Sequence, residues 1–165
     1  MNDVAPEPAP IYLQLRNRIL GLSPAQMGLN PSSEVPHIWG VMMETGYNVG
    51  TATLVCLVDG TTSLYYSTGG GMLGSAEFTP VATASKTLVT LAEKHLQLMA
   101  SIDEIPLPEV GQVRFIFLTY SGYLAADARQ KTLAAGEHPL SPLFIKAQET
   151  LEQLRLLAEK KRKSV

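Results

Sequence analysis

Residues 50–68 read GTATLVCLVDGTTSLYYST, and the fold follows from them. Across 50–58, Leu54, Cys56 and Val58 point one way in an extended chain, and Val55 and Leu57 point the other. A β-branched run that is apolar on both faces predicts a central strand covered on both sides. Asp59-Gly60 then separates two β-rich runs, the strongest short-range hairpin signal. Residues 61–68 form the returning strand. Adjacent Tyr65 and Tyr66 face opposite sides of it, so one enters the core and the other is an exposed aromatic able to anchor a partner.

Upstream, residues 37–45 (HIWGVMMET) are apolar on both faces and predict another strand, with Trp39, Met42 and Met43 read as core. Glu44 ends it with no carboxylate partner in view. Ile11, Leu15, Ile19 and Leu22 make one stripe of a helix over 11–22, with Arg16, Asn17 and Arg18 mostly off the stripe and Gly21 at its end. A Pro/Ser/Asn-rich connection runs to Pro36. Residues 1–10 (MNDVAPEPAP) are acidic and Pro-rich and read as a flexible lead.

Downstream, Gly69–Gly71 break the pattern. Thr79 as N-cap and Pro80 at the first helical position open a helix whose stripe is Val81, Ala84, Leu88, Leu91, His95 and Met99. After a proline-containing loop over 101–111, residues 113–119 (VRFIFLT) form a two-faced strand. Ser121-Gly122 is a tight turn. Residues 123–128 suit a returning strand; their alanine content also suits a helix over 123–135, and the strand is preferred because the strand before the turn needs a neighbour. Ser141-Pro142 opens the last helix, where Phe144, Ala147, Leu151, Leu154 and Ala158 recur at 3,4 spacing as a narrow seam, the pattern of an interface helix. The chain thus divides into the lead, a single domain over 11–159 and a basic tail over 160–165.

The 165 residues are 45 % hydrophobic and 17 % charged, which describes one globular domain with a core that needs no staple. A net charge of −2 gives no field to attract nucleic acid or an anionic membrane. The lone Cys56 excludes an intramolecular disulfide and a Cys-only metal site. There is no signal-peptide pattern and no run near the roughly 18 apolar residues of a membrane span. A cytoplasmic protein is expected.

The order helix, three strands, helix, two strands, helix resembles the longin-type fold and the related roadblock and profilin-like domains. Residues 55–79 (VCLVDGTTSLYYSTGGGMLGSAEFT) are similar to the middle of roadblock proteins: hydrophobic strand, D-G turn, second strand ending in small residues, then helix. Roadblock proteins place two strands before the central helix and three after it, whereas three and two are counted here. SLYYSTGGG (63–71) and GEHPLSPLFIKAQETLEQLRL (136–156) also resemble parts of an uncharacterised bacterial family. The resemblance implies an α+β layered sandwich with a five-stranded, mostly antiparallel sheet and flanking helices. It implies a non-enzymatic protein–protein interaction or regulatory adaptor module that presents sheet edges and helix faces, and a two-fold homodimer.

The candidate ligand-binding residues are Gly69, Gly70, Gly71 and Gly74 with Tyr66 and His138. Glycines ahead of a helix N-terminus can cradle an anion; they equally serve a turn that needs φ > 0. No Gly-Lys-Ser/Thr follows and Glu77 opposes an anion, so this is no P-loop. This loop is the alternative reading of function, as a small-ligand or anion binder or an enzyme. His37, His95 and His138 lack metal-ligand spacing, and His95 reads as a core or edge histidine. Cys56 reads as buried and inert. No serine sits in a nucleophile elbow. Asp59 is explained by its turn. No catalytic residue, metal site or cofactor is assigned. The candidate interface is the seam Phe144, Ala147, Leu151, Leu154 and Ala158. Lys160–Lys163 read as solvated charge complementing a helix dipole, so neither nucleic acid nor membrane is expected as a partner.

Overall fold

The computed structural model describes residues 5–74 and 77–163. Among them, a seven-stranded antiparallel sheet carries helices, an α+β architecture with strand order β4-β3-β2-β1-β6-β7-β5. The strands are β1 (Ile38–Tyr47), β2 (Gly50–Leu57), β3 (Thr62–Tyr66), β4 (Gly71–Gly74), β5 (Ala100–Ser101), β6 (Gln112–Thr119) and β7 (Gly122–Arg129). The helices are α1 (Pro10–Leu20), α2 (Thr79–Glu93), α3 (Gln130–Ala134) and α4 (Ser141–Lys163), with a 3₁₀ turn at Leu96–Leu98.

β1 is the middle strand, paired with β2 on one side and β6 on the other. The Asp59-Gly60 turn forms as expected: Asp59 Oδ1 accepts the Thr61 N–H at 2.9 Å and Gly60 adopts φ +94°. Residues 122–129 pair with β6 as a strand.

Strand alternation sorts the core into two layers. Val41, Met43, Leu54, Cys56, Leu64, Phe115 and Phe117 pack under α2 and α4. Trp39, Met42, Val55, Leu57, Tyr65, Ile116 and Leu118 pack on the opposite face under α1 and the connections around Leu22–Leu29 and Ile105–Leu107. Each fully buried side chain of this size contributes about 1.5–3 kcal/mol, so covering both faces is what holds the apolar strands in the middle.

Four expectations are corrected. The sheet has seven strands, not five, because β4 and β5, of four and two residues, extend its edges. α1 turns its expected stripe inward only in part: Leu15, Ile19 and Leu22 pack against the core, but Ile11 is 54 % exposed, and Tyr12 and Arg16 are the residues of the helix that are buried. Arg16 joins the core-facing side because Glu44, buried in β1, binds it. α2 is preceded by Phe78 as N-cap, with Thr79 already helical. It also stops at Glu93 short of Met99, where His95 Nδ1 lies 2.9 Å from the Leu91 carbonyl and the chain turns.

Residues 1–4 of the expected flexible lead lie outside the described residues. Further along it, the Ala9 N–H donates to Ser67 O at 2.7 Å and Pro10 begins α1. Lys160–Lys163 continue α4; residues 164–165 of the basic tail lie outside the described residues.

Candidate functional site

The turn after β3 closes with the Gly69 N–H donating to Tyr66 O (2.9 Å) and the Tyr66 N–H to Gly70 O (3.2 Å). Gly69 and Gly70 adopt φ +102° and +80°, so the turn itself requires glycine. Gly71 is required for another reason: a Cβ there would stand 2.1 Å from Leu64 O. Ser67 ties the region together. Its Oγ accepts the Thr51 N–H (2.7 Å), its own N–H reaches Thr51 O (2.8 Å), and its carbonyl holds Ala9.

Tyr65 is buried and Tyr66 is 38 % exposed, the division that alternation requires. Tyr66 lies between two shallow clefts. One, of about 240 Å³, is lined by Ile11, Tyr12 and Leu15 of α1 with Tyr65, Tyr66 and Gly69–Gly71. The other, of about 120 Å³, is lined by Tyr47, Val49, Tyr66, Thr68 and neighbouring small residues at the tip of the β1–β2 hairpin. Both are below the ~300–1,000 Å³ usual for small-molecule sites. Neither lining contains Lys, Arg or His, so nothing there complements a phosphate.

The structure therefore brings Tyr66 together with Gly69, Gly70 and Gly71, but places Gly74 and His138 elsewhere. Gly74 pairs with Thr62 at the far end of β4. His138 shapes the entry to α4: its Nδ1 accepts the Leu140 N–H (3.0 Å) and its N–H donates to Ser141 Oγ (3.1 Å). The α4 seam is occupied within the chain. Phe144, Ala147 and Leu154 are buried in the core under α4, and Leu151 packs against it; Ala158 lines a cleft beside Met72. The seam's 3,4 spacing marks a packed face, and that face packs on α2 and the sheet.

Beneath the cleft wall runs a polar network that the sequence reading missed. Tyr12 Oη and Thr53 Oγ1 are 2.6 Å apart, and Thr53 Oγ1 donates to Glu44 Oε2 (2.8 Å). Arg16 donates Nε to Glu44 Oε2 and Nη2 to Glu44 Oε1, both at 2.7 Å, and Nη2 also reaches Ile105 O. Burial first, then the Glu44 charge, push the Tyr12 hydroxyl up to about 12. Burial works to lower the Arg16 pKa, but the hydrogen bonds and charge of Glu44 outweigh it and raise it. Such a network positions α1; its groups are committed to one another. The available signal was Glu44 itself: a carboxylate in a strand covered on both faces needs a cation.

Arg114, beside Glu44 in β6, binds Asp127 with Nε at 2.6 Å and Nη2 at 2.8 Å, and its Nη1 donates to Pro106 O. His37 Nδ1 and the His37 N–H both meet Glu93 Oε1, at 2.7 and 2.9 Å. Cys56 is fully buried, and burial pushes its thiol up to about 12 although the Ser85 hydroxyl acts the other way. Among the described residues no three His, Cys, Asp or Glu side chains gather as a metal site, and no helix is long and apolar enough to cross a membrane. Comparison with known proteins finds no matching family model, no matching curated protein and no matching solved structure.

Proposed function

We propose that this chain is a non-enzymatic, cytoplasmic protein–protein interaction or adaptor module that self-associates as a two-fold dimer. The observation that carries this reading is the apolar end of the sheet. Tyr47, Val49 and Tyr66 are 39 %, 71 % and 38 % exposed around one cleft with no charged residue in its lining. An exposed hairpin tip carrying valine between tyrosines has no structural use in a lone domain, and aromatic anchors are what interfaces use. Because the lining is uncharged, two copies meet there without like-charge repulsion.

Sedimentation equilibrium at micromolar concentration tests the reading. A dimer is expected for the native chain and a monomer for Val49→Asp and Tyr66→Ala. A native chain that stays monomeric, or variants that dimerise unchanged, overturn it.

The second reading, ligand binding at the Gly69–Gly71 turn, is favoured only by the α1-side cleft. Its lining suits a small apolar or aromatic ligand, not an anion.

A further inference from the structure

The two faces of the sheet are covered by different means. Under α2 and α4 the cover is apolar: Leu88, Val89 and Ala92 of α2 and Leu143, Ala147 and Leu154 of α4 are buried. On the Trp39 face, α1 buries Tyr12 and Arg16, while Leu15, Ile19 and Leu20 lie against the layer partly exposed. The strap of residues 102–111 completes that cover and packs Ile105 and Leu107 on the same layer.

The strap is tied to the sheet at its ends. The Ile102 N–H donates to Tyr123 O at 3.3 Å, and the Gly111 N–H to Gly46 O at 2.8 Å. Glu109 O packs so close to Gly46 that no side chain fits there. Between the ends, among the described residues, 103–108 make no backbone-to-backbone hydrogen bond. Pro106 and Pro108 have no N–H to donate. Two arginines hold the middle instead. Arg16 Nη2 donates to Ile105 O at 2.7 Å, and Arg114 Nη1 donates to Pro106 O.

Arg16 is common to both halves of the cover. The same Nη2 that reaches Ile105 O also donates to Glu44 Oε1 at 2.7 Å. Lifting α1 alone takes the cation from buried Glu44 and the donor from Ile105 O. Lifting the strap alone leaves a buried guanidinium N–H without its acceptor. Either half moved singly therefore leaves buried polar groups unpaired. When both lift, water reaches Arg16 and Glu44 and replaces the lost partners. The α2–α4 layer on the other face shares none of these bonds.

We propose that α1 and the strap form a single cover that opens and closes over the Trp39 face as a unit, with Arg16 as its latch. Opening bares Trp39, Met42, Ile116 and Leu118 while the α2–α4 layer stays packed. The device is independent of self-association at the hairpin tip.

The test follows three probes in the chain: amide exchange of residues 13–20 for α1, cleavage after Glu104 by a glutamate-specific protease for the strap, and labelling of Cys56 by a disulfide reagent for the opposite layer. α1 exchange and strap cleavage are expected to report one opening, more frequent than that of Cys56. Pro106→Gly, at an exposed position, loosens the strap without removing either carbonyl. It is expected to speed α1 exchange about two- to fivefold. Tyr12→Phe removes the α1 hydroxyl that meets Thr53 and touches no hydrogen bond of the strap. It is expected to speed cleavage after Glu104 about fivefold. In both variants Cys56 labelling stays as in the native chain. Exchange in α1 that ignores Pro106→Gly, cleavage that ignores Tyr12→Phe, or Cys56 labelling that accelerates in step with the other two probes overturns the proposal.

Discussion

Arg16 on α1 grips Glu44 on β1 through two hydrogen bonds of 2.7 Å, with the guanidinium 7 % and the carboxylate 0 % exposed. This pair fixes which side of α1 faces the sheet. It also seats Tyr12 at the cleft wall, since Tyr12 lies one helical turn before Arg16 and shares Thr53 with Glu44.

Removing one member of a buried pair leaves the other charge uncompensated. Arg16→Met is expected to cost about 3–5 kcal/mol, whereas Arg16→Met combined with Glu44→Leu recovers much of that loss. Urea unfolding midpoints of the two variants check this. If the double variant is no more stable than the single one, the pair does not dominate the seating of α1.

What was legible in the sequence was local or periodic. The 50–58 strand, the Asp59-Gly60 turn and the two-faced 113–119 strand each carry their signal within a few residues, and all three stand where they were read. The face of α1 was legible only in part because Glu44, 28 residues from Arg16, helps to set it. Hydrophobic spacing found Leu15 and Ile19, which pack against the core, but it misplaced Ile11 and missed Tyr12 and Arg16, which a polar network across the fold holds inward. β4 and β5 are too short to show alternation and exist because β3 and β7 offer them backbone partners. Of the candidate site, Tyr66 with Gly69–Gly71 was legible as a place. The α4 seam was legible as a packed face, but periodicity does not say whether the chain itself or a second copy packs on it.

The glycines after β3 separate turn geometry from close packing. Gly70→Ala meets open space but forces alanine to φ +80°, a strain of roughly 1 kcal/mol. Gly71→Ala drives a Cβ into Leu64 O across the β3–β4 pair, so the strand must shift. Thermal unfolding is expected to show a clearly larger loss for Gly71→Ala, with faster amide exchange in 71–74. Equal losses would mean that β4 does not hold its close pairing with β3.

Glu93 ties the end of α2 to the start of β1. Its carboxylate accepts the backbone N–H groups of His37 and Ile38 and faces His37 Nδ1. Glu93→Ala leaves those donors without their acceptor and is expected to cost about 1–3 kcal/mol. His37→Ala, which keeps both backbone bonds at an exposed position, costs less. Urea denaturation of the two variants ranks them, and the reverse order would show that the imidazole, not the backbone capping, matters.

Cys56 and Tyr12 make stability fall in alkali. Burial of the Cys56 thiol, opposed by the Ser85 hydroxyl, takes it from an ordinary 9.0 to about 12 in the folded chain. Burial and the Glu44 charge take the Tyr12 hydroxyl from 10.0 to about 12. Both pKa values are raised on folding. Between about 9 and 12 the folded chain therefore keeps protons that the unfolded chain has lost, and stability declines as pH rises through that window. The contribution is whole below about 9. Urea midpoints measured from pH 8 upward should be flat at first and then fall, and Cys56→Ala should remove the earlier part of the decline. The same burial keeps the thiolate scarce, so Cys56 is expected to be inert to a disulfide reagent at pH 8 in the folded chain and to react at once in urea. Rapid reaction without denaturant would mean that the sheet opens between β2 and α2, because Cys56 lies in the core layer those two elements share.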